Sequence, residues 1–89
     1  MDDEALKVYA YVTSSMYRTR ALNTIGYGMK TPFEIAREAD VPFKAISTTL
    51  KELKHAGVVE CINEDEVRNR LYRLTDLGAD ILEFIEDHG

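Results

Sequence analysis

Tryptophan is absent from this chain, and 89 residues hold only one cysteine, two histidines and two prolines. A lone Cys61 excludes an internal disulfide, which accords with a reducing compartment. One cysteine and the distant His55 and His88 supply no metal-ligand spacing, and Cys61 fits a small core residue on a strand. No apolar run approaches the roughly 20 residues needed to cross a bilayer. The acidic stretch MDDEALK lacks the basic flank of a signal peptide, so a cytoplasmic protein without membrane contact is expected. There is no Gly-rich phosphate loop and no nucleophile with a base at readable spacing, and the acidic EDE run lacks the alternation and glycine of a calcium loop. The expectation is a protein that is not an enzyme and needs no cofactor or metal.

What is present is ordinary for a globular chain, with 45% hydrophobic and 30% charged residues. Its length predicts one domain over 1–89 with a modest core. The net charge of −5 is unevenly spread. Residues 1–41 sum to −1, 42–56 to +2, 57–78 to −2 and 79–89 to −4, so one short block alone is positive.

Residues 3–13, DEALKVYAYVT, begin with acids suited to a helix start and place apolar side chains almost all round a wheel, which favours a helix buried on most sides over the strand that the alternation of Val8, Ala10 and Val12 with two tyrosines also allows. Ser14 and Ser15 cap a second helix running to Ile25, ended by Gly26 and Gly28. Thr31, Pro32 and Glu34 combine an N-cap, a proline at the first helical position and a capping-box acid. The helix they start is short, with Ile35, Ala36 and Ala39 inward, because Val41-Pro42 breaks it. From Lys44 to His55 the chain is helical again, with Ile46, Leu50 and Leu53 inward and Gly57 placed as a left-handed C-terminal cap. Val58, Val59, Cys61 and Ile62 pair as a hairpin with Leu71, Tyr72 and Leu74 across a charged tip. Thr75-Asp76 caps a last helix striped by Leu77, Ile81, Leu82, Phe84 and Ile85, opposite Asp80, Glu83, Glu86 and Asp87.

The segments SSMYRTRAL, TPFEIAREADV, FKAISTTLKELKHAGVVE and RNRLYRLTDLG resemble the winged-helix transcription regulators of the ArsR/MarR-like kind, particularly their small archaeal forms. The resemblance implies a mainly α fold with a small β-hairpin. A winged helix-turn-helix, three core helices plus a wing, would carry N- and C-terminal helices for dimerisation. The helix-turn-helix would span about 32–56, the wing about 58–74 and the last helix about 76–88. It also implies a homodimeric regulator of transcription that inserts helix 44–55 in the major groove of double-stranded DNA. Metal-sensing members carry a cysteine pair in that helix, which this sequence lacks. An effector, protein or small molecule, is left open.

The residues support the same chemistry independently. Lys44, Ser47, Thr48, Lys51 and Lys54 lie opposite or beside the inward stripe, where lysines neutralise phosphates and short hydroxyls allow close approach to base edges. Thr31 stands at a helix N-terminus, whose free amides favour an anion, so it is expected both to cap and to contact DNA. Arg68 and Arg70 on the wing are further candidates, although Glu64, Asp65 and Glu66 beside them repel a phosphate backbone. The helix offers no arginine or asparagine for bidentate base contacts, so specificity is expected to be weak or shared. Arg18 and Arg20 at the start of the second helix are expected to pair with acidic neighbours rather than reach a phosphate. Leu6, Tyr9 and Val12 on the first helix and Ile81, Leu82 and Ile85 on the last are the expected dimer interface, setting two recognition helices about 34 Å apart. The competing reading is a winged helix used for protein–protein interaction, its acidic surfaces docking a basic partner.

Overall fold

The computed structural model describes residues 1–88. Five helices and one hairpin follow in the order α1 (Asp3–Thr13), α2 (Met16–Ile25), α3 (Pro32–Ala39), α4 (Phe43–His55), β1 (Val59–Cys61), β2 (Tyr72–Leu74) and α5 (Asp76–His88). Each helix starts where side-chain chemistry satisfies its free amides, with one exception. Asp2 accepts from the Ala5 amide at 2.8 Å, and Ser15 from Arg18 at 3.2 Å. Thr31 and Glu34 form the reciprocal capping box. Thr75 Oγ1 accepts from the Gly78 amide at 3.1 Å and donates to the Gly57 carbonyl at 2.6 Å. Only α4 lacks a side-chain cap, since Pro42 stands at that position.

The turn between α3 and α4 places Asp40 in the left-handed region at φ 56°, a conformation an aspartate tolerates at modest cost. Its carbonyl accepts from Arg20 at 3.3 Å, so Arg20 meets a backbone oxygen rather than the carboxylate expected of it. At the far end of α4, the Val58 amide bonds the Leu53 carbonyl at 3.1 Å and the Gly57 amide the Lys54 carbonyl at 3.0 Å. With Gly57 at φ 82°, this is the paired C-terminal cap that closes a helix with its flanking apolar residues in contact. Leu53 and Val58 are both fully buried.

β1 and β2 pair antiparallel with Val59 opposite Leu74 and Cys61 opposite Tyr72. Lys30 adds a third, single-residue rung, exchanging both backbone bonds with Tyr72 at 3.1 and 2.9 Å. That rung fastens the start of α3 to the base of the wing. Sequence periodicity cannot show it, because one residue has no period.

The core gathers Val12, Leu22, Ile25, Ile35, Ile46, Leu53, Val58 and Ile81. α2 is central and touches every other helix; α3 and α4 pack on one another, while α5 rests on α1, α2 and β2. Two expectations change here. α1 is a surface helix rather than one buried on most sides, for Leu6 and Tyr11 stay 42% and 40% exposed and only Val12 is sealed. Val12, Ile81 and Leu82, expected at a dimer interface, are buried within the chain and offer a second copy no surface. A core of this size needs more than one stripe from its terminal helices, so their apolar excess is largely consumed internally. Leu6 is exposed, and Tyr9 and Ile85 are half-buried.

Candidate nucleic-acid interface

Lys44, Ser47, Thr48 and Lys51 all project from α4 into solvent. Glu52 is the helix's single carboxylate and is tied to Arg18, with Nη1 3.3 Å from Oε1. The Arg18 guanidinium carbon stands over the Tyr11 ring, 3.9 Å from its centroid, and the group donates to the Tyr11 carbonyl at 2.7 Å, so it serves as a structural tie, as expected. The outward face of α4 is thereby free of negative charge.

Charge pairing across the molecule sharpens this. Of the eleven lysines and arginines, five pair with carboxylates, namely Lys7, Arg18, Lys30, Lys54 and Arg73. Among the described residues Arg20, Arg37, Lys44, Lys51, Arg68 and Arg70 have no carboxylate partner. All but Arg20 belong to α3, α4 or the wing. Among the described residues the five acids of α5, Asp76, Asp80, Glu83, Glu86 and Asp87, make no ion pair, and they sit on the helix that packs against α1 and α2 instead.

Three expected contacts are modified by the geometry. Lys54 is bound to Glu64 of the wing, a link that raises the lysine pKa and lowers that of the carboxylate, mainly through their hydrogen bond. Arg70 is turned back on the wing, its Nε donating to the Glu66 carbonyl at 2.8 Å and Nη2 to that of Glu64 at 3.4 Å. With Asn63, which accepts from the Leu71 amide at 2.7 Å and donates to the Asn69 carbonyl at 3.2 Å, it gives the tip a defined shape. Thr31 spends its one hydroxyl proton on Glu34 Oε1 at 3.1 Å and receives the Glu34 amide at 3.3 Å. The anion at the start of α3 is therefore the protein's own carboxylate. Thr31 has no proton left to donate to a phosphate.

Hydrogen bonds from the backbone amide and hydroxyl of Thr31 hold the Glu34 carboxyl below the usual glutamate range. A lowered folded-state pKa stabilises the native chain above the ordinary glutamate value, and that contribution is lost as pH falls through the lowered one.

A groove of about 510 Å³ runs between α4 and the wing, lined among others by Phe33, Phe43, Ser47, Val67, Arg68 and Tyr72. Phe33, Phe43 and Val67 are 59%, 62% and 89% exposed. Arg37 stands 5.7 Å above the Phe33 ring. None of these four was expected at the site. Phe43 lies three residues before Ile46, so periodicity places it on the inward stripe. It starts the helix beyond the end of the core and emerges into water instead. Among the described residues no group of three or more His, Cys, Asp or Glu is placed to hold a metal ion, and no helix is long and apolar enough to cross a membrane.

The three-helix core, the helix-turn-helix of α3 and α4 and the hairpin wing define a winged-helix fold. The chain is similar to the solved structure of TubR, a protein of type III plasmid segregation, with a TM-score of 0.79 and 16% identity over all of this chain and 90% of that one. At that identity the likeness is one of fold. No protein-family model and no curated protein sequence matches the chain.

Proposed function

We propose that this protein binds double-stranded DNA as a homodimeric winged-helix regulator, with α4 in the major groove and the wing beside the adjacent backbone. The observation that carries the reading is the sorting of charge. In a protein of net charge −5, the cations without carboxylate partners collect on the helix-turn-helix and wing, where this fold presents itself to a duplex. Lys44 and Lys51 are the phosphate contacts on α4, with Ser47 and Thr48 against base edges and Arg68 on the backbone beside the wing. Leu6, Tyr9 and Ile85 are the surfaces left for a second copy. The DNA service is transcriptional control, as the ArsR/MarR-like resemblance implies; the likeness to TubR adds plasmid segregation as a second setting for the same contact.

Fluorescence anisotropy with a labelled duplex, between about 50 and 200 mM salt, tests the reading. Three phosphate-neutralising side chains per protomer predict a slope of log K on log salt near −2.7 per protomer bound. Absence of binding at the lowest salt would remove it and leave the protein-interaction alternative.

The clasp between Lys54 and Glu64 adds a prediction in the same titration. Glu64→Gln frees the lysine and takes one negative charge off the wing, and duplex affinity is expected to rise roughly three- to tenfold at low salt. Unchanged affinity would show that neither side chain lies near the backbone.

A further inference from the structure

We propose that Phe43 is a specificity-determining residue of this contact, its ring reading the 5-methyl group of thymine in the major groove. The inference rests on the DNA-binding reading above and goes beyond it, because that reading supplies affinity without saying which bases are preferred.

Three observations converge on Phe43. First, with Lys44 and Lys51 on phosphates, the exposed face of α4 has little left that distinguishes bases by hydrogen bonding. A lysine could otherwise donate to guanine, whereas a serine or threonine hydroxyl can donate to or accept from any base edge. Glu52, which could select cytosine, is occupied by Arg18. Second, Phe43 is the first residue of α4, and the N-terminal residues of a recognition helix are those that meet base edges. It is 62% exposed and shares the wing-side groove with Ser47, one turn further along the helix. The apolar feature a base pair shows in the major groove is the thymine methyl. Third, the ring is held in place. Phe33 meets it edge-to-face with ring centroids 6.0 Å apart at 60°, and Arg37 stands over the Phe33 ring at 5.7 Å.

Charge chooses the occupant of this apolar spot. Arg68 lines the same groove, Arg37 stands over Phe33 and Lys44 follows Phe43 in the chain, none with a carboxylate partner, which suits a polyanion with an apolar edge better than an apolar protein surface. In water the ring stays half-solvated. Against a methyl group it gives up that contact with water, a gain of about threefold to fivefold in affinity per methyl buried.

The test needs no knowledge of an operator. Alternating dA–dT and dA–dU duplexes of roughly 20 base pairs, about two helical turns, carry the same charge and differ in the major groove by the methyl alone. Wild-type protein is expected to bind the thymine duplex about three- to fivefold more tightly than the uracil duplex. A dG–dC duplex should gain similarly when its cytosines carry a 5-methyl group. Phe43→Ala should bind thymine and uracil duplexes alike, at the wild-type uracil level, and Phe43→Leu should keep part of the preference. Circular dichroism melting of both variants checks that folding is intact, as expected for an exposed side chain. Equal wild-type affinity for thymine and uracil duplexes overturns the inference while leaving DNA binding in place, and so does a preference that survives Phe43→Ala. Failure to bind any duplex at low salt overturns both.

Discussion

Gly78→Ala is expected to destabilise the protein by about 2 to 3 kcal/mol, lowering the melting temperature by roughly 10 to 20 °C. Two effects oppose each other. Gly78 lies in α5, where alanine is favoured over glycine by about 1 kcal/mol on propensity alone. A Cβ there would stand 2.0 Å from the Val58 carbonyl oxygen and 2.9 Å from its carbonyl carbon. Those are backbone atoms, and they cannot step aside as a side chain does. The same oxygen accepts the Thr75 amide at 3.0 Å, and Thr75 caps α5 while holding the Gly57 carbonyl. Moving Val58 disturbs the end of α4, the start of β1 and the start of α5 together, so the steric cost outweighs the propensity gain. Gly28, whose Cβ would meet nothing within 4 Å, is the control. Gly28→Ala should change stability by no more than about 0.5 kcal/mol. Thermal melts of the two variants decide the matter, and a Gly78→Ala protein as stable as wild type would contradict this packing.

Replacing Lys44 and Lys51 together by alanine is expected to weaken duplex binding about a hundredfold at low salt, from roughly 1.4 kcal/mol per lysine–phosphate contact. The salt slope should flatten by about 1.8, which is 0.9 for each phosphate no longer neutralised. Both side chains are exposed and neither has an ion-pair partner to lose, so the fold should be untouched. That separates them from Arg18, whose removal would break the tie between α2 and α4. A matched loss at Lys7 would show that the effect is one of total charge alone. Lys7→Ala, on α1 and paired with Glu4 at 3.6 Å, is therefore expected to alter binding by less than about threefold, since charges beyond about 8 Å are largely screened at physiological salt.

Local chemistry carried most of the fold into the sequence. The capping box at Thr31 and Glu34, the Val41-Pro42 break, the stripe of Ile46, Leu50 and Leu53 and the cap at Gly57 act over three to seven residues, and all stand as expected. Elements that depend on distant partners were not legible. The Lys30–Tyr72 rung joins residues far apart in the chain. The three side chains misassigned to an interface, Val12, Ile81 and Leu82, show that a wide apolar stripe does not say whether its partner is the same chain or another. At the candidate site the exposed lysines of α4 were readable from the wheel. The capture of Lys54 by Glu64 was not, nor the folding of Arg70 over the wing, because both depend on where the wing tip comes to rest. Phe43 was hidden for a different reason. Its spacing is that of a core residue, and only the end of the core shows that it is not one.

The central claim is that the face of α4 and the neighbouring wing meet the duplex while the acidic C-terminal helix stays clear of it. A residue-resolved amide NMR titration with a short DNA duplex tests this most directly. Shifts are expected to concentrate at Phe43 to Lys51, around Arg37 and at Val67 to Arg70, with Asp80 to Asp87 unmoved. Shifts centred on α1 or α5, with α4 silent, would contradict it.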